Sequence, residues 1–281
     1  KGMMTNEELD QCDPQSLVAL IHGLSGFRHT VEYYGPADLK AVIAQVDRTH
    51  QTAKKLQAPL QAEEPMEQPT PKNEVIIAPY EAKNIYMMQY HNEGLQWTPD
   101  RAPVINLFNN YFGGGMNTVV FQELRESRGL AYSASANYMS PQRKGHPEYA
   151  QTTIITQNDK MPDCIRVFNS IIDTIPQGAA AFELARQSLM KSIAASRISR
   201  KNLISAYDAA VERGYEGDLR RLVYDRLPSL TLQDLVRFER QTMAAKPYRY
   251  IILGDERALD MKTLEKIGPI KRVSRQDIFG Y

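Results

Sequence analysis

The chain has 281 residues, more than a usual single domain, so it holds either one large domain or one domain with part of another. It is 42% hydrophobic and 24% charged, which reads as soluble and globular, and 34 basic against 33 acidic residues leave a formal charge of +1, too little to draw in nucleic acid or an anionic membrane. Apolar stretches fall well short of the roughly 20 residues that span a bilayer, and Cys12 and Cys164 are too far apart for a C-x-x-C metal site or a disulfide scaffold, so both read as small buried apolar residues.

In chain order, Lys1 to Met4 are set aside as a cloning remnant. Leu17, Leu20, Ile21 and Leu24 recur at helical spacing within Leu9 to Leu24, with Asp13 and Pro14 as cap and first turn. His29 to Tyr34 has the β-branched and aromatic content of a short strand, ended by Gly35 and Pro36. Leu39, Val42, Ile43 and Val46 predict a second helix. Helix, strand, helix cannot close a core, because a lone strand leaves its backbone groups unpaired. Residues 1–50 are therefore expected to be the tail of a preceding domain. Residues 51–73, rich in Gln, Glu, Ala and Pro, read as an extended linker.

Residues 74–281 read as a complete unit. Val75 to Pro79 and Ile85 to His91 are strand-like, and Glu81 to Asn84 would join them as a hairpin. Pro103 to Tyr111 is helical; Gly113, Gly114 and Gly115 follow, then a helix carrying Val120, Phe121 and Leu124. Leu130 to Met139 and Tyr149 to Gln157 predict strands. Helices are expected over Pro162 to Ile175, Ala180 to Tyr215 with a break near Ser199, Asp218 to Arg226, and Leu232 to Ala244 capped by Thr231. Tyr248 to Gly254 is a late strand, Leu259 to Ile267 a short helix, and Pro269 to Val273 a last extended piece. This order suits an α+β fold: a mainly antiparallel sheet of about six strands with helices on one face.

The informative stretch is Phe112 to Ala136. Three glycines in a row disfavour helix and impose a turn that lets neighbouring elements approach closely. A phosphate cradle is disfavoured, since neither G-x-x-x-x-G-K-[ST] nor G-x-G-x-x-G occurs and no Lys is near. Phe121 and Leu124 share one helix face by spacing and Gln122 and Arg125 the next, so Arg125 should project away from the core. Gly129 is the expected helix stop, after which Tyr132, Ala134 and Ala136 alternate with Ser133 and Ser135. Periodicity alone leaves Arg125 a solvated helix residue and Tyr132 an ordinary sheet aromatic.

The string LRESRGLAYS at 124–133 resembles the L-R-E-K-R-G-L-A-Y-S signature of the pitrilysin and insulinase family of zinc metallopeptidases, which includes the mitochondrial processing peptidases. The preceding GGG-x-x-x-x-x-F-Q-E-L matches too, Tyr33-Tyr34-Gly35-Pro36 resembles the family's Y-Y-G-P ending, and Ser127 replaces the usual Lys. The resemblance implies a C-terminal, non-catalytic part of a zinc metalloendopeptidase, with the zinc in an N-terminal catalytic half of the same polypeptide. For Arg125 and Tyr132 it implies contact with peptide substrate. Arg offers a rigid fork of donors to peptide carbonyls, and a neutral phenol can donate to a carbonyl gaining negative charge.

The family's H-x-x-E-H zinc motif is missing, since Gly26, Tyr33, Lys54, Leu95 and Ala150 stand four residues after His22, His29, His50, His91 and His146. No metal ligand and no catalytic residue is therefore assigned to this chain, which is expected to be inactive alone. His29 reads as structural, His91 as a strand residue near a turn, and His146 as an exposed loop residue. Neither G-x-S-x-G nor an RNA-binding signature occurs. Arg197, Arg200, Lys201, Arg213, Arg220 and Arg221 read as a solvated face balanced by Glu212, Glu216 and Asp218. Two other readings stay open: a catalytically silent scaffold, and a separately encoded non-catalytic subunit. A second copy of the chain is a further candidate partner, and bacterial cytoplasm and periplasm are both candidate locations.

Overall fold

The computed structural model describes residues 4–61 and 64–280. Lys1–Met3 of the expected cloning remnant, Ala62 and Glu63 of the expected linker, and Tyr281 lie outside the described residues. The chain divides into two compact units. One holds the described residues up to Pro65 with Ile198–Asp208 and 279–280; the other holds Met66–Arg197 and Ala209–Ile278.

In the first unit, the helix Pro14–Gly23 starts as its residues dictate: the Asp13 carboxylate accepts from the amides of Gln15 and Ser16, and Pro14 occupies the first turn. Asp38 caps the helix Leu39–Thr49 in the same way through Lys40 N. Neither helix has a buried residue. The strand expected over His29 to Tyr34 does not form. Arg28 N donates to Gln57 O at 2.8 Å and Gln57 N to Gly26 O at 2.9 Å, and the pairing stops there. Strand-like composition needs a neighbouring edge to become a strand, and none meets this segment among the described residues. Cys12 is exposed rather than buried, because it sits between two short helices with no core to enter.

The second unit is built on a six-stranded mixed sheet: β1 (Glu74–Pro79), β2 (Asn84–His91), β3 (Ser133–Met139), β4 (Tyr149–Gln157), β5 (Arg249–Gly254) and β6 (Ile270–Arg272), in the order β3-β4-β2-β5-β1-β6. The pairs β2/β4, β2/β5 and β3/β4 are antiparallel, and β1/β5 and β1/β6 are parallel. The expected β1–β2 hairpin is therefore wrong, because β5 lies between them. Strands sit about 4.8 Å apart, so a four-residue connection, which can extend roughly 13 Å, is long enough to step over one strand.

Burial alternates along β2 to β5, as period-2 patterning requires. Ile85 and Met87, Ala134 and Ala136, Ile154, and Ile252 face the core, where Phe108 and Phe112 of the helix Ala102–Phe112, Phe168 of Met161–Asp173 and Phe238 of Leu232–Thr242 pack. Phe108 lies 5.1 Å from Phe112 and 5.0 Å from Phe238, centroid to centroid. Each such ring contributes about 1.5–3 kcal/mol by burial. The opposite face is half exposed, with Tyr86 and Leu253 on it. Cys164 is buried as expected, and burial pushes its thiol up to about 12.

Several polar groups in this core are matched. Arg101 places Nε and Nη2 each 2.8 Å from the two oxygens of the fully buried Glu148 carboxylate. Burial, reinforced by Glu148, holds the neighbouring Tyr138 phenol well above the ordinary tyrosine value. The Gln89 amide donates to Asn169 Oδ1 at 2.7 Å, and the Asn169 amide donates to Tyr250 Oη at 2.9 Å. The middle helices match the periodicity: Ala179–Ala195, Leu203–Arg213 after a break at Ser199, and Leu219–Arg226 capped by Asp218. Thr231 and Asp234 form a reciprocal capping box before Leu232. No helix of the described residues is long and apolar enough to cross a membrane.

Candidate functional site

The corner between residues 112 and 133 begins with the triple glycine. At Gly113 an added Cβ would lie 2.2 Å from Asn109 O and 2.9 Å from Ala136 O, so only glycine lets the end of the Ala102–Phe112 helix pass this close to β3. Thr118 Oγ1 donates to the carbonyls of Gly113 and Gly115, at 3.1 and 2.7 Å, and closes the turn. Gly114 and Gly115 are exposed and meet only side chains, so their requirement for glycine is weaker.

One α-helical turn, Val119–Phe121, then widens into a π-helical turn, Gln122–Glu126, marked by Ser127 N donating to Gln122 O at 2.9 Å. This alters the expected faces. Val120 and Leu124, four apart, are fully buried, while Phe121 moves toward solvent beside Arg125. A π turn carries more than four residues, so positions four apart align and positions three apart diverge. Gly129 ends the turn at φ 58°, and its amide donates to Arg125 O at 3.0 Å. The amides of Leu130 and Ala131 both turn back to Leu124 O, which delays β3 to Ser133 rather than Leu130. Lys160 Nζ to Gly129 O at 2.9 Å and Thr156 Oγ1 to Leu130 O at 2.6 Å pin the corner to β4 and the segment after it.

Arg125 and Tyr132 consequently share one exposed surface. The Arg125 Cζ lies 5.0 Å from the Phe121 centroid and 5.7 Å from that of Tyr132, so the guanidinium is held by two rings through cation–π attraction. Its one charged neighbour, Glu126, is 3.7 Å away, and no acceptor among the described residues is within hydrogen-bond distance of it. Tyr132 is 75% exposed. A rigid fork of unused donors thus stands beside an exposed phenol. Phe121 is the member that sequence reasoning missed, and its spacing of four from Arg125 was the available signal.

The model for the peptidase M16 inactive domain matches residues 25–189, more than half of the chain and all of this corner. The chain belongs to the peptidase M16 family. This is the pitrilysin-type family that LRESRGLAYS pointed to, and the match is to its inactive, C-terminal kind of domain. Among solved structures, this M16 chain is similar to a peptidase M16 inactive domain from Pseudomonas fluorescens, at 19% identity over 77% of this chain and 50% of that one, with a TM-score of 0.55. It is also similar to the ferredoxin protease FusC, solved as a point mutant in complex with Arabidopsis ferredoxin, at 12% identity, 90% and 28% coverage and a TM-score of 0.63. A third is the periplasmic protease PqqL from Escherichia coli, at 14% identity, 79% and 25% coverage and a TM-score of 0.55. These likenesses are of fold. The chain spans half the length of the first and less of the others. No curated protein matches it.

The residues of this M16 chain do not fit the family's catalytic zinc. H-x-x-E-H does not occur in the sequence, and no group of three or more His, Cys, Asp or Glu among the described residues is placed to hold a metal ion. His91 is buried at the end of β2, where its ring N–H meets Pro247 O at 2.8 Å and burial lowers its basicity. His146 is not the solvent-facing loop residue expected: its Nδ1 lies 2.9 Å from the Glu67 carboxylate and it is largely covered, because residues 66–70 lie along this end of the sheet. In the basic region, Arg220 pairs with Asp218, Arg221 faces Asp225 at 3.7 Å, and Arg213 donates to Gln142 at 2.7 Å.

Proposed function

We propose that this chain is the substrate-contacting, non-catalytic part of a zinc metalloendopeptidase, completed by a catalytic half that carries the zinc and the general base. The observation that carries the reading is the pairing of an exposed guanidinium, with no hydrogen-bond acceptor among the described residues, and an exposed phenol, on a corner whose backbone is fixed from both sides. Arg125 would donate to peptide carbonyl oxygens and orient the chain, and Tyr132 would donate to the carbonyl oxygen as it gains charge. Neither activates water, so hydrolysis depends on the other half. The substrate class is peptide or protein, and the catalytic half is the partner.

The test joins this chain to its catalytic half. Alone it should leave peptides intact with Zn²⁺ present, and the joined protein should hydrolyse them. Metal-dependent hydrolysis by the purified chain alone, with contaminants excluded, would overturn the assignment. A joined protein that binds zinc but turns over no peptide would favour the silent-scaffold reading.

A further inference from the structure

Within the first unit, two imidazoles meet. His29 Nε2 lies 2.6 Å from His50 Nε2, with the rings edge to face at 89° and centroids 4.8 Å apart. His29 Nδ1 lies 2.7 Å from Phe27 O. A carbonyl only accepts, so this nitrogen carries the ring proton and His29 Nε2 presents a lone pair toward His50. Both backbones are held: residues 26–28 by their bonds with Gln57, and His50 by its amide donating to Val46 O at 2.7 Å, where it closes the helix Leu39–Thr49. Both rings are exposed, so an ion reaches them from solvent.

We propose that His29 and His50 form a two-imidazole site for a divalent transition ion of the zinc or nickel type, with water filling the other positions. The site is independent of Arg125 and Tyr132 and of the peptidase reading. Imidazole selects such ions over magnesium and calcium, which prefer oxygen. Metal-bound histidines characteristically donate their second ring N–H to a carboxylate or a backbone carbonyl, the arrangement His29 already has with Phe27. Metal–nitrogen bonds of about 2.0–2.1 Å at a tetrahedral angle set the two nitrogens roughly 3.3 Å apart, so the rings must part by about 0.7 Å, which exposed side chains do freely. The ion replaces the proton between the two Nε2 atoms, and that proton moves to His50 Nδ1, so no net proton is released from the neutral pair. With only two protein donors the ion exchanges readily. Bound, it ties the segment around His29 to the end of the Leu39–Thr49 helix.

Isothermal titration of the whole chain with ZnCl₂ and NiCl₂ at neutral pH tests this, with MgCl₂ as the oxygen-preferring control. One ion should bind per chain, weakened at least tenfold in both His29→Ala and His50→Ala and unchanged in His22→Ala; thermal unfolding with Zn²⁺ should show a stabilising shift that both variants lose. Absence of binding by the parent chain, binding untouched by the two variants, or loss in only one of them would each overturn the bidentate site.

Discussion

Arg101 and Arg125 both hold a guanidinium over a phenylalanine ring, at 5.7 Å from the Phe238 centroid and 5.0 Å from that of Phe121. Arg101 spends its fork on Glu148, whose carboxylate is fully buried, whereas Arg125 has only a long contact to the exposed Glu126. One is held because a buried charge cannot stay unpaired. The other is positioned with nothing in the described structure for its donors to do. Residue type and aromatic stacking are shared, so what separates the two arginines is whether the donors are already used within the described structure.

The largest effect that would sharpen this contrast is expected from Arg101→Met, which strands the Glu148 carboxylate in the core. Urea unfolding should show a loss of about 3 kcal/mol or more. Arg125→Met should cost less than about 1 kcal/mol, the size of an exposed cation–π contact and a surface ion pair. Equal losses in the two variants would break the comparison.

A further contrast lies in charges with no partner in the core. Glu239 is 1% exposed, its Oε1 has no partner among the described residues, and burial, with Asp173 adding and Arg240 opposing, pushes its carboxyl up to about 7. A raised carboxyl pKa favours the protonated folded state, so this contribution to stability is complete below about pH 4.5 and is lost as pH rises through 7. Glu239→Gln should therefore be more stable than the parent by roughly 3 kcal/mol at pH 8, a difference that nearly vanishes by about pH 4.5. A pH-independent difference would mean that the carboxyl is not the cause.

Smallest should be Gly129→Ala. At φ 58° the cost of a side chain is about 1 kcal/mol, with open space around the added Cβ. A loss several times larger in thermal unfolding would show that the corner is strained rather than merely turned.

The helices and their caps were legible because period and capping chemistry are local: Asp13, Thr231 and the break near Ser199 all stand as read. What failed was non-local or hidden in the backbone. β5 enters between β1 and β2 from about 170 residues downstream, and no local pattern announces it. His29 to Tyr34 carries strand composition without an edge to meet. Phe121 left the Leu124 face because a π turn replaced the expected α geometry, and Cys12 had no core to join. At the corner, Arg125 and Tyr132 were singled out through a resembling string, whereas Phe121 beside Arg125, and Lys160 and Thr156, which bond the carbonyls of Gly129 and Leu130, required the structure.

The central claim is tested most directly by steady-state peptide hydrolysis in the joined enzyme carrying Arg125→Ala or Tyr132→Phe, with zinc content and unfolding midpoint measured alongside. Each variant should lower kcat/KM by roughly 100-fold, the scale of one lost transition-state donor, at unchanged zinc content and nearly unchanged stability. Parent-like kinetics in both would contradict the account and return the pair to surface residues.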